Sequence, residues 1–262
     1  LLSTHYAPYL PAAHRQLTHL LTLPRFPNAA LSHRDAYPSL WADFIYMVPP
    51  ALAYYAVFTN DIGYFKEAIL QCERYCEVLK TGSGCWMHIK NAEEGERRKK
   101  DEGLWSTGNG WAAAGMGRVI ATIRKSEFNA RMEGEVESLV GMAKGIIDGA
   151  MGFDTDPSGL LRNRLDDETW FGEAAGTALL AATVFRMAVL EPEVFGEKYT
   201  QWAVKKMEVV VKCVDQETGI VAPVVNPTKD EQRAPLEGAS PEAQAFVMLL
   251  YAAWRDWKER QS

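Results

Sequence analysis

Three stretches of helical length in this chain are apolar on nearly every side: Trp111 to Ile123, Ala174 to Leu190 and Ala243 to Trp257. A helix without a polar face has to be surrounded by other protein, so the fold must enclose several helices at once. Between these stretches lie helices of a second kind, amphipathic and able to face water on one side. Phe65, Ile69, Cys72, Cys76 and Leu79 form one apolar stripe, and Val136, Leu139, Val140, Ala143, Ile146, Ile147 and Ala150 form another. A third, less regular stripe runs through Trp202, Val209, Val210 and Cys213.

Alternation of enclosed and half-exposed helices suits two concentric rings, with inner helices walled in and outer ones covering them. The pattern predicts inner helices starting near Asp43, Asn109, Glu173 and Pro241, at intervals of 66, 64 and 68 residues, the period of a helical hairpin repeat. The expected fold is an all-α toroid of antiparallel hairpins. Pro49-Pro50 predicts a bent or restarted first inner helix, because proline belongs in a first turn or breaks the ladder. Gly152 to Gly159 reads as a turn between hairpins, and the proline-rich Ala222 to Ser240 as a long loop of the kind that lines a site.

With 262 residues and 47% apolar content, the chain can bury one substantial core, and no composition shift divides it, so residues 1–262 are read as a single domain. A net charge of -6 without clustered Lys and Arg excludes a general nucleic-acid binder. The charge run from Glu93 to Glu102 mixes signs and reads as a solvated loop. No apolar run is long enough to span a membrane. Four cysteines are too few for a disulfide framework and read as buried free thiols. The chain starts without an initiator Met or a signal peptide, which fits a mature exported protein and sets extracellular location as the expectation. Without His-Glu-x-x-His, Cys-x-x-Cys or an Asp-rich loop, no metal site is expected.

Asp43 is the residue with most chemical promise. It is a lone carboxylate in Leu40-Trp41-Ala42-Asp43-Phe44-Ile45-Tyr46, the kind of apolar setting that raises a carboxyl pKa. Downstream, Trp86-Met87-His88 and Trp105-Ser106-Thr107-Gly108-Asn109-Gly110-Trp111 combine indoles with polar groups, a mixture suited to gripping a sugar. The segments carrying these residues precede or open inner helices, which gathers them at one end of the ring, where free amides favour anionic groups. Plainer readings exist for each residue. Asp43 is also a good helix N-cap, the tryptophans are ordinary core, Gly108-Asn109-Gly110 is a tight turn, and His33-Arg34, Arg162 and Arg164 are solvated charges.

In their order along the chain, Leu40-Trp41-Ala42-Asp43, Trp86-x-His88 and Trp105-x-x-Gly108-Asn109-Gly110-Trp111 resemble the unsaturated rhamnogalacturonyl hydrolases, glycoside hydrolase family 105. Gly176-Thr177-Ala178 and Gln244-Ala245-Phe246-Val247 extend the match, which runs from about His33 onward and looks most like the fungal branch. The resemblance implies an (α/α)6 barrel and an acidic oligosaccharide substrate ending in a 4,5-unsaturated galacturonic acid. The implied reaction is hydration of the double bond, without metal or organic cofactor. Carried over by position, Asp43 is the general acid and then the base. His33, His88 and Trp105 contact the sugar and Trp111 forms an aromatic wall, with Trp41, Thr107 and Asn109 in the same substrate-binding set.

Two departures stand out. Thr107 occupies a place where bacterial members of the family carry an Arg able to bind a uronate carboxylate. Residues 1 to 34 hold no Asp or Glu, and four inner helices are legible where the family has six, so the expectation is either that the given chain lacks part of an N-terminal region or that the ring is incomplete there and activity compromised. Two further readings stay open: an inactive ring that binds acidic glycan or a partner protein, and another toroid enzyme such as a sugar epimerase or polysaccharide lyase.

Overall fold

The computed structural model describes residues 9–93, 99–229 and 231–261. In chain order the elements are α1 (Leu10–Leu21), β1 (Ser39–Trp41), α2 (Phe44–Thr59), α3 (Ile62–Leu79), β2 (Ile89–Asn91), α4 (Ser106–Arg124) and α5 (Glu133–Gly152). They continue with β3 (Leu161–Arg162), β4 (Gly172–Glu173), α6 (Ala174–Leu190), α7 (Glu197–Lys212) and α8 (Pro241–Glu259).

Helices α2, α4, α6 and α8 pack side by side in that order, and α3, α5 and α7 each lie against the inner helix they follow. The result is a two-layered arc of hairpins. The inner helices begin at Phe44, Ser106, Ala174 and Pro241, within a few residues of the positions set by the repeat. Helix α6 is buried without a break from Ala174 to Phe185, as its all-round apolar sequence demands. Outer helix α5 buries Val136, Leu139, Val140, Ala143, Ile146, Ile147 and Ala150, the whole of its expected stripe.

Three expectations need correction. Helix α8 is not enclosed: Met248 is 74% exposed, and Leu249 and Tyr251 also face out. Helix α2 likewise exposes Met47, Tyr54 and Val57. These are the end helices of the arc, each with an inner neighbour on one side only. Next, of the bent or restarted helix expected at Pro49-Pro50 the restart does not occur, for one helix runs through both prolines. Pro49 has no N–H for the Ile45 carbonyl, and α4 packs tightly on that carbonyl: a Cβ on Gly115 would lie 2.2 Å from Ile45 O. Finally, of the four free thiols only Cys72 and Cys85 are fully buried, burial pushing the Cys85 thiol up to about 12, whereas Cys76 and Cys213 are half-buried.

Short strand pairs, too brief to announce themselves by periodicity, tie the loops at the end of the arc where the inner helices start. β1 pairs antiparallel with β2, setting Trp41 opposite Ile89, and the Ala42 amide donates to His88 O at 2.9 Å. Ile89 also bridges to Asp101, and Trp105 to Arg164. β3 pairs with β4, and Ala174 N at the head of α6 donates to Pro223 O of the long loop. Among the described residues no helix is long and apolar enough to cross a membrane.

Gly115→Ala sets a methyl group against backbone that has no rotamer to escape into, and it is expected to lower unfolding free energy by about 1–3 kcal/mol. Gly134→Ala, where nothing lies within 4 Å of the added carbon, is the control and is expected to be neutral or slightly stabilising. Urea denaturation of the two variants beside the wild type checks both.

Candidate active site

Asp43 stands just ahead of α2, where an aspartate normally caps the helix, yet its side chain makes no capping hydrogen bond. Its Oδ2 lies 3.3 Å from Nε2 of His88. The β1–β2 pairing brings the two together, since Asp43 follows Trp41 by two residues and His88 directly precedes Ile89. On its other side His88 Nδ1 lies 2.8 Å from Asp101 Oδ2, and the same oxygen lies 2.6 Å from the Arg164 guanidinium. Carboxylate, imidazole, carboxylate and guanidinium thus alternate along one line. His88 is only 2% exposed, against 18% for Asp43, so the line runs inward from Asp43.

Burial pushes the Asp101 carboxyl up, but the hydrogen bond from His88 and the Arg164 charge outweigh it and hold the group below the usual carboxylate range. The run Glu93 to Glu102 is therefore not a uniformly solvated loop: Asp101 is folded into the site, while residues 94–98 lie outside the described residues. Arg164 and Arg162, read from sequence as solvated, are both buried, the second against Asp156.

Aromatic rings wall the imidazole. Trp105 lies 4.5 Å from it and Trp41 5.5 Å, ring centre to ring centre. His33 stacks on Trp41 at 5.0 Å, and the Arg34 guanidinium lies 4.2 Å from the same indole. Burial lowers the His33 pKa, an effect that Asp43 opposes and Arg34 and His88 reinforce. The indole N–H groups are engaged within the protein, Trp41 donating to Ser39 Oγ and Trp105 to Asn163 Oδ1.

Asn109 is fully buried: Oδ1 accepts from Trp86 N, and Nδ2 donates to Trp86 O and Trp105 O. Its amide clamps the Trp86–His88 segment to the head of α4, and its place is in the frame of the cleft. Thr107 is also fully buried, its Oγ1 without a hydrogen-bond partner. Trp111 is half-buried and packs against Tyr46 and Phe246, linking α4 to α2 and α8. Of the residues picked out by sequence, then, Asp43, His33 and Trp111 are partly exposed, whereas Trp41, His88, Trp105, Thr107 and Asn109 are buried.

Two acids escaped the sequence reading. Glu173 heads α6, fully buried, accepting from Ala175 N and Gly176 N at 2.6 Å each and from Ser106 Oγ at 2.8 Å. Complete burial raises its pKa despite those bonds. Only glycine fits at 176, because a Cβ there would lie 2.4 Å from Ser106 Oγ. The α6 amides are thus taken by the chain's own carboxylate and are not open to an anionic ligand. The second acid, Glu242 in the first turn of α8, is raised to about 7 by burial and by the charges of Glu173 and Asp43. An acidic residue at the head of an inner helix was the one sequence signal for both. Among the described residues no three His, Cys, Asp or Glu side chains gather as a metal would require.

The sequence model of Glycosyl Hydrolase Family 88 matches residues 3–254. The chain belongs to that family. Solved structures share the fold of this family 88 glycoside hydrolase. One described as a possible member of the GH105 family from Salmonella enterica serovar Paratyphi A aligns with a TM-score of 0.81 at 22% identity, over 97% of this chain and 68% of its own. A family 105 glycoside hydrolase from C. acetobutylicum gives 0.79 at 15% identity, over 97% and 75%. An unsaturated glucuronyl hydrolase from a Bacillus species gives 0.67 at 14% identity, over 93% and 66%. No curated protein matches the chain. These likenesses carry the expected helical toroid. The described residues provide four of its inner helices.

Asp101→Asn leaves His88 and buried Arg164 without the Asp101 charge and is expected to destabilise the protein by about 3 kcal/mol at neutral pH. A carboxyl held below its unfolded pKa contributes stability above that pKa and loses it as pH falls. The gap between variant and wild type should therefore narrow only in strong acid, as thermal melts across pH will reveal.

Proposed function

We propose that the cleft removes a 4,5-unsaturated uronic acid, galacturonyl or glucuronyl, from the non-reducing end of lyase-generated pectin-type oligosaccharides. The observation that carries this reading is the orientation of Asp43: at a capping position it withholds its carboxylate from the helix and presents it, partly exposed, beside His88. A single carboxyl group so placed suits hydration of a double bond, since protonating carbon and deprotonating water are steps one acid can perform in turn. A conventional glycosidase needs two opposed carboxylates at fixed separation.

In the proposed sequence the Asp43 proton passes to C4, and the cation left at C5 is stabilised by the ring oxygen. The Asp43 carboxylate then takes a proton from water as the water oxygen bonds to C5. The resulting hemiketal opens by breaking the bond from C5 to the ring oxygen, which leaves a ketone at C5 and a hemiacetal at C1. Collapse of that hemiacetal to an aldehyde expels the neighbouring sugar as its alcohol. His88, locked by Asp101, holds Asp43 in position, while His33 and Trp111 meet the sugar. The exposed Arg34 beside Trp41 brings positive charge to the cleft, a need left open by Thr107 and by the acidity of the chain. Since such oligosaccharides arise outside cells, we place the enzyme there.

A rival reading, an inactive arc that only binds acidic glycan, draws on the open edges of α2 and α8 and on Thr107. The test uses lyase-generated unsaturated disaccharides and follows loss of the ultraviolet absorbance of the conjugated double bond. Asp43→Asn is expected to slow the loss by about 10²- to 10⁴-fold, and labelled water should deliver its oxygen to C5. Undiminished turnover by the variant removes Asp43 from the role, and binding by the wild type without turnover favours the rival.

A further inference from the structure

Glu242 lies two residues after Ser240, whose Oγ accepts from Ala243 N and so performs the capping of α8. Its own carboxyl group has no such duty. The Trp111 indole of α4, which packs on Phe246 one turn further along α8, faces it as a donor, yet Oε2 is buried without a hydrogen-bond partner. The charged groups that bear on it are Glu173 at the head of α6 and Asp43 at the head of α2. Asp43 in turn faces His88 and His33, with Arg34 beside the latter. A second carboxyl group therefore neighbours Asp43 from the far end of the arc, against the partly exposed Trp111.

An anionic sugar entering beside Asp43 would be repelled by another ionised carboxylate, whereas a neutral carboxyl group offers it an O–H donor. Burial and the two neighbouring acids favour the neutral form up to about pH 7, and the Trp111 N–H opposes them. We infer that Glu242 binds the acidic sugar as a neutral acid, donating its carboxyl proton to an oxygen of the uronate. This rests on the reaction proposed above and adds to it a second substrate-facing group, one concerned with binding. The sign follows from linkage: the proton is in place below the raised pKa and must be recovered from solution above it, so affinity falls as pH rises.

The experiment measures KM and kcat separately for an unsaturated digalacturonide from about pH 5.5 to about pH 9. Wild-type KM should be flat on the acid side and rise about tenfold per pH unit above neutrality. In Glu242→Gln, which keeps an N–H donor and cannot ionise, KM should stay within about threefold over the range. Trp111→Phe removes the donor that favours the ionised form, and the rise should move to higher pH. A purely structural Glu242 would alter stability without coupling KM to pH. Independently of any variant, calorimetry of saturated digalacturonate binding to the wild type at about pH 8, in two buffers of different ionisation enthalpy, should detect uptake of about one proton. Absence of that uptake, or a KM rise retained in Glu242→Gln, overturns the inference. Turnover with a pH-independent wild-type KM sinks the Glu242 inference alone, whereas no turnover at any pH sinks it together with the proposed reaction.

Discussion

One imidazole between two acids organises the cleft. His88 meets Asp43 with one ring nitrogen and Asp101 with the other, and Arg164 completes the alternation. Any of these charges alone, removed from water to this extent, would cost several kcal/mol. In series each offsets the next. The four residues come from four separate segments, and the backbone holds those segments together: Ala42 to His88, Ile89 to Asp101 and Trp105 to Arg164. Trp41 and Trp105 then keep water from the ring. Because the line of charge ends on the partly exposed Asp43, the ordering achieved inside is delivered to a single carboxylate at the surface.

The heads of three inner helices carry acids, and the uses diverge because the surroundings differ. Glu173, wholly enclosed, turns back on the amides of its own helix and ties in Ser106 from the neighbouring one. Asp43 leaves its helix uncapped and faces an imidazole. Glu242 is relieved of capping by Ser240 and meets an indole. The same functional group at equivalent points of a repeat thus acts as a structural acceptor in one hairpin and as a chemical group in another.

The helical repeat was legible because periodicity is local: the stripe on α5 and the enclosed surface of α6 are properties of their own residues. Asp43, Trp41, His88 and Trp105 were picked out together through the order of their motifs along the chain, and the fold does bring them into contact. What failed depended on distant partners. Asp101 looked solvated inside a run of mixed charges, and Arg162 and Arg164 looked like surface residues, because the carboxylates that allow their burial lie elsewhere in the fold. The partner of the Asn109 amide, the backbone of Trp86, was equally invisible in the sequence. The open face of α8 is likewise a matter of neighbours. Among the described residues only one inner helix lies beside it, and its sequence is also more polar than that of α6, with Glu242, Gln244, Arg255 and Asp256 along it.

The β1–β2 pairing has a bearing on how such a protein can diverge. Side chains on a strand alternate faces, so a slip of one residue inverts all of them. A single inserted or deleted residue in 39–43 or 86–89 would turn Asp43 away from His88 while leaving the helices untouched. The stretch from Asn91 to Asp101 is pinned at both ends by pairing, and nothing in the register depends on its length. Changes in loop length can accumulate there without disturbing the acid, and a relative that has gained or lost residues on either paired flank has lost the geometry itself.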